Sequence, residues 1–137
     1  MALAFPSDEW IKAAMAEVNA SQAYQAAAKN WEGDITFVVT AVPDERRKAH
    51  LYMDLWHGSC REAFEVESGA ARPSEFRITA PLPIWRKVLE RQLDPIRAIV
   101  SQQLKLQGNK MKILKAPKAA VELVNCCAAL DTAWPAV

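Results

Sequence analysis

The strongest constraint on the fold lies between Leu82 and Val100, where apolar residues recur every three or four positions. This spacing places them on one stripe of a helix, which the folded chain must cover with other apolar groups. Asp94-Pro95 interrupts the stripe with a favourable N-cap residue followed by a proline suited to a first turn. The sequence therefore predicts two consecutive helices with a corner between them. The stripe consists of Trp85, Val88, Leu89, Leu93, Ile96, Ile99 and Val100.

The segment between Gly33 and Pro81 has a period of two instead, and it is rich in β-branched and aromatic residues. It predicts strands over residues 35–42, 49–56 and 60–67, and a short fourth strand around Phe76 and Ile78. Polar turns separate them, with Ser68-Gly69 closing the third strand. Because the connections are short, we interpret these strands as an antiparallel meander. Residues 104–107 would return to the sheet as a fifth strand.

Helices are predicted at both ends of the chain. Ser7 precedes acidic residues and an apolar helical face, and Asn19 or Ser21 restarts the chain into a second helix. Asn109 is suited to cap a short helix, and Pro117 to begin the final one. The predicted fold class is α+β: a single domain over residues 1–137, with a sheet of about five mostly antiparallel strands covered on one face by helices.

Charge and hydropathy limit the classes of partner. The 137 residues include 17 Lys and Arg against 16 Asp and Glu, which gives a formal net charge of +1. So small a net charge predicts no electrostatic footprint for nucleic acid or for an anionic membrane. No stretch approaches the roughly 20 apolar residues of a spanning helix, and the first residues lack a basic, signal-like region. We therefore expect a cytoplasmic protein without stable membrane insertion.

Few residues suggest chemistry. His50 and His57 are predicted on opposite faces of a strand, which disfavours a shared metal or an acid–base pair. Cys126 and Cys127 would point about 100° apart on a helix, so that at most one faces the core. We expect no catalytic residue, no metal and no cofactor. A nucleophilic pair of Cys60 with His57 across a turn is the alternative.

The basic turn Arg46-Arg47-Lys48 is most simply a solvated hairpin end. Its alternative role is to meet an acidic headgroup or the phosphate of a coenzyme A.

Three ordered motifs resemble a known family. The run 94–98, Asp-Pro-Ile-Arg-Ala, is followed by Leu-Lys-Leu-Gln-Gly-Asn at 104–109, and Trp85 lies nine residues before Asp94. Upstream, residues 53–58 read Met-Asp-Leu-Trp-His-Gly. Together, over about residues 10–130, these resemble the sterol carrier protein 2 domain. Gln103 stands where that family usually has glycine, which leaves the turn geometry open, and Asn109 stands where it usually has aspartate.

The resemblance implies binding or transfer of a fatty acid, a fatty acyl-CoA or a sterol-like molecule, without catalysis, in an apolar tunnel between sheet and helices. An ordinary core in which the same residues close on each other is the structural alternative. A small enzyme or accessory subunit acting on acyl-thioesters is the functional alternative. A homodimer through the Trp10 or Trp134 surface is a further possibility. The candidate tunnel lining is Trp56, Trp85, Leu89, Leu93, Ile96, Val100, Leu123, Val124 and Cys127.

Overall fold

The computed structural model describes residues 2–67 and 73–135. The turn expected at Ser68-Gly69 lies outside these residues. The helices are α1 (Asp8–Ala20), α2 (Gln22–Ala27), α3 (Leu82–Leu89), α4 (Pro95–Val100), α5 (Lys110–Leu114) and α6 (Pro117–Ala128). The strands are β1 (Leu3–Ala4), β2 (Glu32–Thr40), β3 (Ala49–Trp56), β4 (Ser59–Val66), β5 (Phe76–Pro81), β6 (Lys105–Gln107) and β7 (Thr132–Ala133).

The main sheet has five strands in the order β4-β3-β2-β5-β6. All neighbouring pairs are antiparallel except β2 and β5, which run parallel with Phe37 opposite Ile78. The mostly antiparallel α+β prediction is confirmed, but the simple meander is wrong after its third strand. The chain leaves β4 at one edge and crosses to the far side of β2. This crossover places β2 in the centre of the sheet, and a central strand is buried more readily on both faces.

Side-chain caps begin four of the helices, three at the predicted residue and α2 at Ser21, one of the two predicted alternatives. The side chains of Ser7, Ser21, Asp94 and Asn109 accept the backbone N–H three residues further on, at 2.9–3.3 Å. Each satisfies one of the N–H groups that a helix start leaves without a partner. The corner at Asp94-Pro95 therefore separates α3 from α4 as the sequence predicts. The turn before β6 has its left-handed residue at Gln102, with φ of 64°.

The helices cover the face of the sheet formed by Ile35, Phe37, Leu55 and Ile78, which line the space beneath them. The long helix α6 occupies the middle of this layer, and α1 to α5 each pack against it. The opposite face is also partly closed: Tyr52 is buried and donates to Asp34 Oδ2 at 2.7 Å. One apolar core joins sheet and helices.

The two ends of the described chain meet. β1 and β7 form a parallel two-stranded sheet, and the Trp10 indole N–H donates to Thr132 Oγ1 at 3.0 Å. The centroid of the Trp134 ring lies 4.9 Å from that of the Phe5 ring, so the end of the described chain is held against the protein. Trp10 is only 3 % exposed. It therefore cannot supply the dimer surface considered from the sequence.

No helix among residues 2–67 and 73–135 is long and apolar enough to cross a lipid bilayer.

Candidate functional site

Two adjoining cavities lie between the sheet and the helices. The first, of about 90 Å³, is lined by Tyr24, Trp31, Ile35, Phe37, Leu55, Ile78, Trp85, Val88, Pro95, Ile99, Leu104, Ile113, Ala116, Ala119, Ala120, Leu123 and Val124. The second, of about 60 Å³, is lined by Phe5, Trp10, Ile11, Phe37, Val39, Leu51, Met53, Trp85, Val88, Leu89, Leu123, Val124 and Cys127. Strands supply the floor of both, and helices supply the roof.

The walls offer a ligand almost no polar group. The indole N–H groups of Trp10, Trp31 and Trp85 are the main donors in the lining, and each already donates to the protein at 3.0 Å. Trp85 donates to the backbone carbonyl of Val38 in the central strand. Burial raises the pKa of the Tyr24 phenol, which keeps this side chain neutral. Such walls suit hydrocarbon and disfavour ions or water.

The two cavities share the wall formed by Phe37, Trp85, Val88, Leu123 and Val124. The Phe37 and Trp85 rings meet edge to face, with centroids 5.7 Å apart and planes at 84°. Phe37, Leu123 and Val124 are only half-buried, although they lie between the sheet and the helices. A core closed tightly on itself would bury them completely. The shared wall therefore separates two incompletely filled spaces.

Five of the nine residues proposed for the lining border this space. Trp85, Leu123 and Val124 border both cavities, and Leu89 and Cys127 border the second. They come from α3 and α6, the two helices that lie over the centre of the sheet.

The structure places the other four proposed residues elsewhere. Trp56 is 38 % exposed, with Arg61 stacked 4.6 Å from its ring. Alternation along β3 sends Leu55 into the first cavity and Trp56 to the opposite face. Leu93 lies in the loop after α3 and lines a separate groove.

Ile96 and Val100 also lie outside both cavity linings. Pro95 and Ile99 point from α4 into the first cavity, whereas Ile96 is half-buried beside it and Val100 is 58 % exposed. The stripe assumed one helical phase from α3 through α4. Because Asp94-Pro95 starts a new helix, the phase begins again, and the residues that directly follow Pro95 and Ile99 lie outside the cavity lining.

The sheet floor and the N-terminal part of the lining were not proposed from the sequence. The signal for the floor was present: the odd-numbered residues of β2 and β3 alternate as one apolar face. Ile35, Phe37 and Leu55 belong to that set. No comparable signal identifies Tyr24, because its ring reaches the cavity only through the packing of α2 against α6.

The Cys60 and His57 pair is not assembled. The Cys60 thiol is buried and donates to the Glu62 carbonyl at 3.3 Å, and burial raises its pKa to about 12. Burial therefore keeps this thiol protonated at neutral pH. His57 is occupied on both sides: Nδ1 lies 2.7 Å from the Lys29 carbonyl and Nε2 lies 2.7 Å from Glu32 Oε2.

Cys126 and Cys127 are both buried, which corrects the expectation that at most one would be. Cys127 faces the second cavity, and Cys126 lies against Glu17, Ala20 and Ser21 where α1 meets α2. Other elements pack against α6 on two sides, so side chains that point about 100° apart on this helix are both buried. Burial raises the pKa of the Cys127 thiol to about 12. Within the described residues, no group of three or more His, Cys, Asp or Glu is arranged to hold a metal ion.

The basic turn is tied to the protein's own carboxylates at its first residue. Arg46 pairs with Asp44 and with Glu65, each at 2.8 Å. The Arg46 guanidinium beside Asp44 lowers the pKa of that carboxyl through their hydrogen bonds. These contacts leave Arg46 engaged within the hairpin.

Comparison with solved structures identifies similar folds. A crystal structure of sterol carrier protein 2 is 34 % identical, covers 90 % of this chain and 97 % of its own, and superposes with a TM-score of 0.80. A solution structure from Thermus thermophilus, described as possibly a sterol carrier protein, is 35 % identical, covers 91 % and 88 %, and gives 0.77. The apo form of sterol carrier protein 2 from Yarrowia lipolytica is 14 % identical, covers 88 % of both chains, and gives 0.59, a likeness of fold.

A search of curated proteins gave no significant match. Residues 3–120 match the SCP-2 sterol transfer family, which is most of the chain and includes the strand, corner and capping motifs described above. The chain belongs to the SCP-2 sterol transfer family.

Proposed function

We propose that this protein binds the hydrocarbon part of a lipid, without covalent chemistry, in the two cavities between sheet and helices. The observation that carries the proposal is that apolar side chains line both adjoining cavities. The indole N–H groups of the tryptophans in this lining already donate hydrogen bonds to the protein. A fatty acid, a fatty acyl-CoA or a sterol-like molecule would satisfy these walls. Membership of the SCP-2 sterol transfer family supports the same class of ligand.

The volumes set the length of hydrocarbon that fits. A water-sized group needs about 10–15 Å³ in a cavity, and a methylene is of similar size. The spaces of about 90 and 60 Å³ therefore hold an alkyl segment of roughly ten carbons if Phe37 and Trp85 move to join them. At about 0.8 kcal/mol per buried methylene, ten carbons are worth about 8 kcal/mol before ordering costs. A net gain of that size would correspond to a dissociation constant near the micromolar range, and the ordering costs make the binding weaker than that and readily reversible.

The proposal includes no catalytic step. Cys60, the thiol named in the acyl-thioester alternative, lies outside both cavity linings and is held protonated by burial. Unchanged ligand turnover in Cys60→Ala and His57→Ala proteins would remove that alternative. Non-covalent holding and release are the functions that the cavities support.

Titration of a fluorescent fatty acid tests the proposal. Ala120 lines the first cavity and is half-buried on α6, so Ala120→Leu would occupy the space of about three methylenes. We expect this substitution to weaken binding by tenfold or more, since three lost methylene contacts are worth about 2.4 kcal/mol.

Ala16→Leu, at an exposed position of α1, is the matched control and should bind as the unchanged protein does. Purified protein should also release fatty acids or related lipids on extraction, as detected by mass spectrometry. Equal affinity in the Ala120→Leu and Ala16→Leu proteins would contradict binding in this cavity, and absence of binding in the unchanged protein would contradict the function itself.

A further inference from the structure

Charge is distributed unevenly along the chain. Residues 95–118, here called the basic segment, contain six of the 17 Lys and Arg and none of the 16 Asp and Glu. The rest of the chain therefore has 11 basic residues against 16 acidic ones and is net negative. The formal charge of +1 for the whole protein hides this asymmetry. A local excess of one sign, rather than the total, sets the field near a surface.

The cations of the basic segment are largely unneutralised. Lys105, Lys110, Lys115 and Lys118 are exposed, and none of them forms an ion pair within residues 2–67 and 73–135. Only Lys112 of the five lysines is paired there, with Glu75 Oε2 at 2.7 Å.

Outside the basic segment, paired and unpaired basic side chains are interspersed with acidic residues. Lys12 pairs with Asp8, Arg46 with Asp44 and Glu65, and Arg61 with Asp54, at 2.6–3.0 Å. Lys29, Arg47, Lys48 and Lys87 are also exposed and form no ion pair within the described residues. The basic segment differs because its unpaired cations follow one another along α4, β6, α5 and the start of α6 without an acidic residue between them.

The same elements expose large apolar side chains. Val100 at the end of α4 and Met111 in α5 are each 58 % exposed, and Val121 in α6 is 37 % exposed. Each lies within two residues of a side chain that lines the first cavity, namely Ile99, Ile113 and Ala120. Exposed apolar groups among unpaired cations are the arrangement by which peripheral proteins contact anionic lipid.

We propose that the basic segment docks this protein reversibly onto an anionic lipid bilayer, with Met111 and Val100 entering the headgroup region. Unpaired lysines are attracted to the negative surface, and the apolar side chains gain cover that the protein does not give them. Pro95, Ile99, Leu104, Ile113 and Ala116 of this segment are also wall residues of the first cavity. Docking would therefore bring that wall against the bilayer. The use of docking for lipid exchange rests on the proposed function, whereas docking itself does not.

Co-sedimentation with vesicles tests docking independently of the cavity. The full chain should bind vesicles of about three parts phosphatidylcholine to one part phosphatidylglycerol, and bind pure phosphatidylcholine at least about tenfold more weakly. Raising sodium chloride from about 0.05 M to about 0.5 M should release most of it, because screening shortens the reach of the lysine charges. Binding equally to both kinds of vesicle would overturn the proposal.

Two charge variants locate the docking surface. Changing Lys105, Lys110, Lys115 and Lys118 to Gln should reduce binding to the anionic vesicles by at least about tenfold. Changing Lys29, Arg47, Lys48 and Lys87 to Gln removes the same charge from exposed positions outside the basic segment and should have a much smaller effect. Similar losses in both variants would overturn the assignment to this segment.

Met111→Gln separates a bilayer from other polyanions. It should weaken vesicle binding several-fold while leaving any binding to a duplex RNA unchanged, since only the bilayer offers an apolar layer to the side chain. Tighter binding to RNA than to vesicles, together with no effect of Met111→Gln, would overturn membrane docking. Titration of the unchanged protein with a fluorescent fatty acid, without vesicles, distinguishes the two proposals. If the protein binds the fatty acid but not the anionic vesicles, only the docking proposal is wrong. If it binds the vesicles but not the fatty acid, only the cavity proposal is wrong.

Discussion

At the scale of single residues, local chemistry decides where helices begin. Ser7, Ser21, Asp94 and Asn109 have short polar side chains that reach a free backbone N–H, and each forms that bond in the structure. These contacts span three residues, so tertiary packing need not create them. That is why three of these starts could be located from the sequence and the start of α2 narrowed to Asn19 or Ser21.

Asp8 illustrates a residue whose local role extends across the fold. Its carboxylate accepts from Lys12 Nζ at 2.6 Å within α1 and from the backbone N–H of Glu65 at 2.8 Å in the edge strand β4. The hydrogen bond from Lys12 is the main cause that lowers the Asp8 pKa, followed by the bond from Glu65. The ionised form is thus favoured in the folded protein.

This lowered pKa makes a prediction about pH. The pKa of Asp8 in the folded protein lies below the value near 3.9 expected in the unfolded chain. The stabilisation of the folded state by ionised Asp8 is therefore complete above the unfolded pKa, and it is lost as the pH falls through the folded pKa. Because solvent screens this exposed pair, Asp8→Asn should cost only about 0.5 kcal/mol of unfolding free energy at neutral pH and progressively less below about pH 4. Urea denaturation at several pH values measures the difference. Glu9→Gln, at the exposed next position, is the control, and a pH-independent cost for Asp8→Asn would contradict the prediction.

At the scale of secondary-structure elements, periodicity indicates element type better than it indicates orientation. The alternation of β3 agrees with the prediction, yet the predicted lining includes Trp56, which points away from the cavity because it alternates with Leu55. The apolar stripe of α4 was extrapolated from α3 across Pro95, and Val100 is exposed. A period fixes which residues share a face, whereas the face that becomes buried depends on the partner element.

Gly108 joins β6 to α5 through backbone geometry that a side chain would disturb. Its φ is 128°, and a Cβ there would lie 2.7 Å from Phe76 Cδ1 and 2.9 Å from the Glu75 carbonyl oxygen. Phe76 is fully buried, so its ring has little room to yield. The close approach of this turn to β5 requires a residue without a side chain.

Gly108→Ala should therefore destabilise the protein by about 2 kcal/mol or more, combining backbone strain with overlap at Phe76. Gly33→Ala is the matched control, because its Cβ would meet the same ring at 3.0 Å without an unfavourable φ. We expect Gly33→Ala to lower the free energy of unfolding by less than Gly108→Ala does. Thermal or urea denaturation of both variants gives the comparison, and an equal or greater cost at Gly33 would refute the argument from φ.

At the scale of the whole molecule, the packing leaves a space unfilled. α6 lies at the centre of the helical layer, and small residues such as Ala116, Ala119 and Ala120 line the first cavity beside it. Larger side chains at these positions would close the gap between helices and sheet. The cavities thus depend on several elements meeting with too little side-chain volume between them.

The cavity volumes predict how affinity depends on chain length. For fatty acids from about six carbons upward, each added methylene should tighten binding by about fourfold until roughly ten carbons are enclosed, after which affinity should level off. Isothermal titration calorimetry across the series measures this. Ala120→Leu should move the plateau to chains about three carbons shorter. Affinity that keeps rising to about sixteen carbons would show that the cavities expand beyond these volumes.

Sequence alone was enough to locate the helix starts, the strand periods, the two-helix corner at Asp94-Pro95 and the family resemblance. These features rest on interactions between residues close along the chain or on patterns that any fold must respect. Trp85, Leu123 and Val124 were also identified in this way as residues of the region that became the cavity wall. The parallel pairing of β5 with β2 could not be predicted from the sequence, because strand order depends on contacts between distant segments.

The space between the apolar faces is a property of the tertiary packing. Amphipathic patterns report which side of an element avoids water, but a filled core and a lined cavity present the same pattern. The difference lies in a volume, which arises where Phe37 from the sheet, Trp85 from α3 and Val124 from α6 come together without filling the gap. No residue carries that volume alone, so it cannot be predicted from the order of residues along the chain.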